Sequence, residues 1–367
     1  MKISYRQMSI AVMMSFIAVK LMALPGLLYE DAKNMGWVVP IALMLVDFVF
    51  ALMLASLMQK NKSKNFYEFL KDTVGVVFAK IVLAVLVVFY AIVLAIIGKG
   101  LELFIIQNFY EEFSWFYYGV PLMAVVGFMV YKGIRNISRM FEFFWLPILF
   151  ACVYIAVKAF AGVEITAFLP MFEDGVQPVL SAGFKYVSWF GSSTFLLSIY
   201  GYVEFKDAKK RTLISFMLVA IGVTMLLYFV FYGLFGVTSP THQFCISDVS
   251  QFNGSRSSVG ELSWLVVSLW IVAQIISFAL YSFCMVHTFL HLFNIKSTVV
   301  GVLVLDAYIV FWGIWGTKTI EPEAIFYNPI TSWISIVASY ILPLILILAN
   351  VFHGHAVKVK GVENAKS

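Results

Sequence analysis

Long apolar runs recur along the whole chain and constrain its fold more than any other feature. Several exceed the roughly 18 residues that suggest a membrane-spanning helix. Of the 367 residues, 62% are hydrophobic and 12% are charged, and a soluble domain of this composition could not cover its surface with polar groups. The sequence therefore predicts an all-α polytopic membrane protein. We expect ten transmembrane helices, over residues 8–29, 36–58, 74–107, 115–131, 140–162, 180–203, 212–237, 261–293, 298–316 and 329–353.

Charges in the connecting segments alternate along the chain. Every second connection is basic, as in 60–71, 132–139 and 206–211, whereas the connections between them are mainly acidic. Basic loops stay on the cytoplasmic side of a cell membrane, so both termini are expected in the cytoplasm. Nine or eleven helices would disrupt this alternation. No linker divides residues 1–367, which we interpret as a single membrane domain with a short cytoplasmic tail at 354–367.

The first apolar segment contains a charge and a helix-breaking pair at nearly the same depth. Residues 16–30 read FIAVKLMALPGLLYE, with Lys20 shortly before Pro25 and Gly26. Proline removes a backbone donor and clashes with the preceding turn, and glycine adds conformational freedom. Inside a membrane, the freed backbone groups need protein, water or a ligand as partners. The pattern predicts either a simple kink or a discontinuous helix.

A second interruption is predicted in the sixth segment, where Gly191 is followed by Ser192, Ser193 and Thr194. Small hydroxyl residues are poor helix formers and can offer hydrogen bonds to a ligand, although they also suit close helix packing. Segments one and six correspond if the chain is two repeats of five helices, the second inverted. Interrupted helices in matching places of two repeats indicate a substrate site near the membrane midplane.

Repeat 1 covers about residues 8–162 and repeat 2 about 180–353 in this interpretation. Half-helix N-termini at the two breaks would attract a carboxylate, and half-helix C-termini a cation or an ammonium group. A zwitterionic amino acid fits such a site well.

Lys20 is an ionisable residue at membrane depth, where a charged lysine costs about 2.5–3.5 kcal/mol on insertion scales. It must face the interior, pair with an acid or lose its proton; snorkelling towards the cytoplasm is the alternative. We single out Lys20, Glu102 and Asp306 as candidate coupling or structural charges. The acidic partner of Lys20 stays open among Asp47, Glu102 (near Lys99), Glu142 and Asp306.

Ser277 and Tyr281 lie four residues apart in the eighth segment and share a helix face, where they can line a cavity or bond a neighbouring helix. His287 and His291 have the same spacing but lack a third ligand nearby, so no metal site is predicted. The sequence contains no phosphate-binding loop, dinucleotide fingerprint or nucleophile–base–acid pattern. We therefore predict a protein that is not an enzyme, needs no cofactor and binds no nucleic acid.

Short motifs follow one another along the chain. They are ISYRQMSI, LMALPGLLY, KGIRNISRMFEFFWLPIL, FLPMFEDGVQPVL, WFGSS, SFALYSF and YILPLILI. Each is weak alone, while their order and spacing together are fairly specific. Over nearly its whole length the chain thereby resembles the spore germination permease family, the B subunits of GerA-type nutrient germinant receptors. That family belongs to the amino acid–polyamine–organocation superfamily.

The resemblance implies a LeuT-like fold of inverted five-helix repeats with helices one and six broken. It also implies an inner-membrane subunit in the spore that binds a small germinant, an amino acid, between helices one, three, six and eight. The implied partners are a membrane A subunit and a C-subunit lipoprotein, in the lipid bilayer. Carried over by position, the candidate substrate-binding residues are Ala23, Leu24, Pro25, Gly26, Gly191, Ser192, Ser193, Ser277 and Tyr281.

Two stretches depart from the family pattern. Ala18-Val19-Lys20 stands where many relatives have Gly-x-Gly, and Ser192-Ser193 stands where many have an acid after the helix-six glycine. An acid is thus lost and a base gained, which leaves the identity of the germinant open. The alternative function is a stand-alone H⁺-coupled amino acid transporter of the same superfamily.

Overall fold

The computed structural model describes residues 2–61, 65–109, 114–171, 173–206, 209–252, 259–316 and 328–350, most of which are helical. The predicted tail at 354–367 lies outside the described residues. The α-helices are α1 (Tyr5–Lys20), α2 (Leu24–Ala32), α3 (Val38–Lys60), α4 (Phe66–Val74), α5 (Val76–Phe109), α6 (Trp115–Lys132), α7 (Ile134–Ala159), α8 (Gln177–Lys185), α9 (Phe195–Ser198), α10 (Lys210–Phe235), α11 (Cys245–Gln251), α12 (Val259–Phe293), α13 (Thr298–Phe311) and α14 (Pro329–Ile336). The last helix continues beyond α14 through a π-helical stretch, Val337–Ile341, to Asn350.

Six helices among the described residues are long and apolar enough to cross a membrane. They are Val38–Lys60, Val76–Phe109, Ile134–Gly162, Lys210–Thr241, Ser263–Phe293 and Pro329–Asn350. The bent pair α1 and α2 makes a seventh span if it counts as one. The other three predicted segments contain α6, the short pieces α8 and α9, and the apolar helix Thr298–Ile314. The prediction of an all-α polytopic membrane protein is therefore confirmed, with six or seven candidate spans in the described part of the chain.

Outward-facing helix surfaces carry large apolar side chains that the protein itself leaves uncovered. Val77, Phe143 and Phe150 are 77%, 72% and 71% exposed. Apolar surface of this extent is unfavourable in water. These faces therefore suit contact with lipid.

The first helix of the chain, α1, lies in the interior of the bundle. A capping box starts it, because the Ser4 hydroxyl accepts from the Gln7 N–H at 3.1 Å and the Gln7 side chain accepts from the Ser4 N–H at 3.0 Å. All residues from 8 to 22 are buried, and α1 packs against α7, α10 and α12. Its sequence is apolar on every side, as a fully surrounded helix requires.

Residues 186–200, in the middle of the sixth predicted segment, are also buried without interruption. They run through two short 3₁₀ turns, Val187–Trp189 and Ser192–Thr194, into α9. The second of these turns packs against α1 and α3. The first and sixth segments therefore meet inside the bundle.

A pair of two-residue strands joins the ends of these two segments. β1 (Ile3–Ser4) immediately precedes α1, and β2 (Val203–Glu204) follows α9. The strands are parallel, with Ile3 opposite Val203 and Ser4 opposite Glu204. The start of the first segment is thereby fixed beside the end of the sixth.

Candidate functional site

The first segment is a broken helix. Between α1 and α2 the chain leaves helical geometry at residues 21–23, and the two helices are bent by 56°. Pro25 occupies the first turn of α2, where the missing N–H needs no intrahelical partner. The break therefore lies just before the Pro-Gly pair. Of the four candidate residues carried over here, Ala23 lies in the break and Leu24, Pro25 and Gly26 lie in α2.

Side chains of two neighbouring helices satisfy carbonyl groups around this break. The hydroxyls of Tyr228 and Tyr232 on α10 donate to the carbonyls of Lys20 and Pro25, both at 2.9 Å. The Gln274 amide on α12 donates to the carbonyl of Ala18 at 2.7 Å. Since backbone groups freed inside a membrane need partners, these contacts stabilise the non-helical turn between α1 and α2.

The sixth segment is broken at Gly191. This residue has φ +78°, in the left-handed region that glycine adopts without strain. The Ser339 side chain of the last apolar helix approaches closely, because a Cβ atom at 191 would lie 2.0 Å from Oγ of Ser339. Glycine is therefore required here both by conformation and by space.

Asp47 of α3 stabilises the turn at Gly191. Its carboxylate accepts hydrogen bonds from the N–H groups of Gly191, at 3.0 and 2.9 Å, and of Ser192, at 3.4 Å. The hydroxyl of Tyr340 donates to its Oδ1 at 2.8 Å. Asp47 is fully buried. One carboxylate thus holds the backbone donors that a broken helix leaves free.

Lys20 contacts both the sixth segment and Asp47. It is completely buried, and Nζ donates to Oγ of Ser192 at 2.7 Å while lying 3.9 Å from Oδ2 of Asp47. The ring centroids of Phe16 and Phe190 lie 4.6 and 5.1 Å from Nζ. Aromatic faces and a nearby carboxylate both stabilise a cation. These contacts explain how a lysine is accommodated in the interior.

α12 packs against α1 and carries polar side chains near the two breaks. Tyr281 interacts with the side chains of Ser192 and Ser15. Gln274 lies near the break, bonded to Ala18 as described above. The Ser277 hydroxyl instead donates to the carbonyl of Ala273 in its own helix, at 2.8 Å. Tyr281 therefore reaches the sixth segment, whereas the Ser277 hydroxyl is bonded within α12.

Several buried polar atoms around the two breaks have no hydrogen-bond partner among the described residues. They are Oγ of Ser193, Oγ1 of Thr194, Oε1 of Gln274 and Oγ of Ser339. A buried polar atom without a partner costs roughly 1–3 kcal/mol. Thr194 and Ser339 both lie beside Gly191, within 3.6 Å of the position of an added Cβ. This arrangement leaves neutral donors and acceptors available for a small polar ligand.

A comparison of the sequence with known protein families identifies one match. A family model described as spore germination protein, of the permease type, matches residues 2–319. The chain belongs to the spore germination protein family. No individually curated protein matches the chain.

In this spore germination protein, Glu102 and Asp306 do not pair with Lys20. Glu102 forms an ion pair with Lys99 at 2.9 Å. Asp306 lies across from Gly127 of α6, and its Oδ1 is buried without a partner among the described residues. Glu142 accepts from the Gln7 side chain at 2.8 Å. Of the four acids that the sequence left open, Asp47 is the one that pairs with Lys20.

A segment between α10 and α12 covers the first break. The N–H of Cys245, at the start of α11, donates to the carbonyl of Met22 at 3.4 Å. A Cβ atom at Gly26 would lie 2.8 Å from the carbonyl oxygen of His242. Partial burial raises the pKa of the Asp248 carboxyl in α11 above its ordinary value, against the lowering effects of the Phe244 N–H and His242.

The sequence did not single out Tyr340, Tyr228 or Gln274. Each is a polar side chain in an apolar helix. Such residues are common in membrane proteins, and the sequence does not show which group each of them contacts. Their roles follow only from which carbonyl or carboxylate lies opposite each one.

Among the described residues, no three or more His, Cys, Asp or Glu side chains are grouped to hold a metal ion.

Proposed function

We propose that this protein is the membrane-embedded B-type subunit of a spore nutrient germinant receptor. It binds a small germinant, an amino acid, between the two broken segments and thereby triggers germination. Membership of the spore germination protein family supports this proposal. The observation that carries it is the meeting of the two interrupted, buried segments. Around them lie polar atoms of Ser193, Thr194 and Gln274 that have no partner in the described part of the chain.

The proposed architecture is ten transmembrane helices in a LeuT-like 5+5 inverted repeat. Breaks in the first and sixth segments support it, because matching interruptions are typical of such repeats. The pairing of β1, before the first segment, with β2, after the sixth, supports opposite directions for these two segments, as an inverted repeat of five helices requires. We place the protein in the inner membrane of the spore with both termini in the cytoplasm, following the basic connections.

The proposed partners are a membrane A subunit and a C-subunit lipoprotein. Ligand binding between the broken helices would change their packing, and partner subunits would convert that change into the germination response. The proposal assigns no chemical reaction to this chain.

A second function is favoured by one observation. The buried ion pair of Lys20 and Asp47 lies between two discontinuous segments, and intramembrane ionisable pairs occur in proton-coupled transporters. The alternative is therefore a stand-alone H⁺-coupled amino acid transporter.

Two measurements separate these functions. Spores that lack this chain should fail to respond to an amino acid to which complemented spores respond, read as loss of optical density. Vesicles that contain this chain alone should show no net uptake of the labelled amino acid. Normal germination of the spores that lack the chain contradicts the receptor proposal, and uptake driven by a pH gradient supports the transporter.

A further inference from the structure

The two members of the buried ion pair differ in how completely they are coordinated. The carboxylate of Asp47 accepts hydrogen bonds from three groups: the N–H of Gly191, the N–H of Ser192 and the hydroxyl of Tyr340. A carboxylate can accept about four hydrogen bonds. Asp47 is therefore nearly saturated by the protein, and it also occupies the backbone donors at the sixth-segment break.

Lys20 has far fewer direct partners. An ammonium group carries three donors, and among the described residues only Oγ of Ser192 accepts directly from Nζ, at 2.7 Å. The carboxylate of Asp47, at 3.9 Å, is beyond direct hydrogen-bond distance. The other close neighbours of Nζ are the rings of Phe16 and Phe190, which attract a cation but offer no oxygen acceptor.

We infer that Lys20 binds the carboxylate of the germinant and so selects for ligands that carry one. This inference rests on the proposed ligand site. The N–H groups of Gly191 and Ser192 at the sixth-segment break, which would otherwise attract an anion, are already bound by Asp47. Lys20 is the cation with donors to spare, and a ligand carboxylate would complete its coordination. Oε1 of Gln274 is buried near Ala18, has no partner among the described residues, and is an acceptor for the ammonium end of the same ligand.

The test uses the purified full-length protein in lipid nanodiscs. Binding of a panel of L-amino acids is measured by calorimetry, and each is compared with its amide and its amino alcohol. These analogues keep the ammonium group and the side chain but lose the negative charge. The carboxylates should bind roughly 10- to 100-fold more tightly, the loss expected for a charged hydrogen bond.

Variants then assign the preference to Lys20. Lys20→Met should bring the acid and its amide within about threefold of one another, whereas Lys20→Arg keeps a cation and part of the preference. Lys99→Met is the matched control, because Lys99 is already bound by Glu102, and it should retain the preference of the parent.

The outcomes distinguish this inference from the proposed function. If amino acids and their amides bind the parent equally, or if Lys20→Met keeps the full preference, the inference is wrong while the ligand site stands. If no member of the panel binds the parent, the proposed amino acid site fails and the inference fails with it. The comparison on the parent protein needs no variant to fold.

Discussion

Ser339, in the π-helical stretch of the last apolar helix, packs directly against Gly191, so that an added Cβ at 191 would lie 2.0 Å from its Oγ. The break in the sixth segment is thus shaped by a neighbour more than 140 residues later in the chain. This contact separates two requirements on Gly191, its left-handed φ of +78° and the space around it.

Gly191→Ala should strongly destabilise the protein, because the new methyl group meets Ser339 and the left-handed conformation adds roughly 1–2 kcal/mol. Combining it with Ser339→Gly should recover the steric part and leave the conformational part. Melting temperatures of the purified variants measure both. Gly175→Ala is the control, since Gly175 has φ +75° and no atom of the described residues lies within 4 Å of an added Cβ. It should show the conformational effect alone. Equal losses for the single and double variants would contradict the contact.

Asp47→Ala should be among the most destabilising single changes in the chain. It leaves Lys20 without its counter-charge and two backbone N–H groups without acceptors, and breaking one side of a buried ion pair costs about 3–5 kcal/mol. Lys20→Met together with Asp47→Asn removes both charges and should recover most of the loss. Glu142→Gln is the control, because Glu142 is partly exposed. The measurement is thermal unfolding in detergent, and an unchanged Asp47→Ala protein would contradict the role of the carboxylate.

Ser193→Ala should leave stability unchanged or slightly higher, because the Oγ it removes is buried with no partner among the residues that the structure describes. The same variant should weaken the response of spores to the amino acid germinant, since that hydroxyl is then unavailable to the ligand. Ser198→Ala is the contrasting variant for stability. The Ser198 hydroxyl lies 2.8 Å from that of Tyr90 and 2.9 Å from that of Thr288, so its loss should lower the melting temperature. A normal dose–response curve for Ser193→Ala removes Ser193 from the site.

Gly26→Ala should loosen the segment that covers the first break. The added methyl group would meet the backbone carbonyls of His242 and Ser239, at 2.8 and 3.0 Å. The nearby thiol of Cys245 is buried, and it should react faster with a maleimide in the variant.

The labelling is done with Cys152 and Cys284 replaced by serine, so that Cys245 is the reacting thiol. Gly222→Ala is the matched control, because nothing lies within 4 Å of an added Cβ at that position of α10. Equal labelling rates in the two variants would show that the contact with the covering segment does not protect Cys245.

The sequence located both interruptions because each depends on local chemistry, although it left open whether the first is a simple kink or a discontinuous helix. Pro25 and Gly191 restrict or permit particular backbone angles wherever they occur. The precise position of the first break was less accessible, since the helix ends at Lys20 and restarts with Pro25 in its first turn. Proline is compatible with that first turn, so the chain unwinds before it rather than at it.

The partner of Lys20 could not be predicted, because it is a matter of tertiary distance. Four acids in other helices satisfied the same sequence criterion. The structure selects Asp47, which also binds Gly191 and Tyr340. Similarly, Gln274 and Tyr228 have their roles only because the carbonyls of Ala18 and Lys20 lie opposite them.

The uninterrupted burial of residues 8–22 also bears on the biogenesis of this protein. α1 precedes α10 and α12, which pack against it, by about 200 to 270 residues. Until α10 and α12 are inserted, the carbonyls of Ala18, Lys20 and Pro25 lack the side-chain partners described above. The ammonium of Lys20 can meet Asp47 earlier, when α3 is inserted, but its partner Ser192 lies in the second half of the chain. We therefore expect these polar groups of the nascent first segment to need temporary hydrogen-bond partners, from the insertion machinery or from water at the bilayer surface. The native partners replace them once the second half of the protein has been inserted.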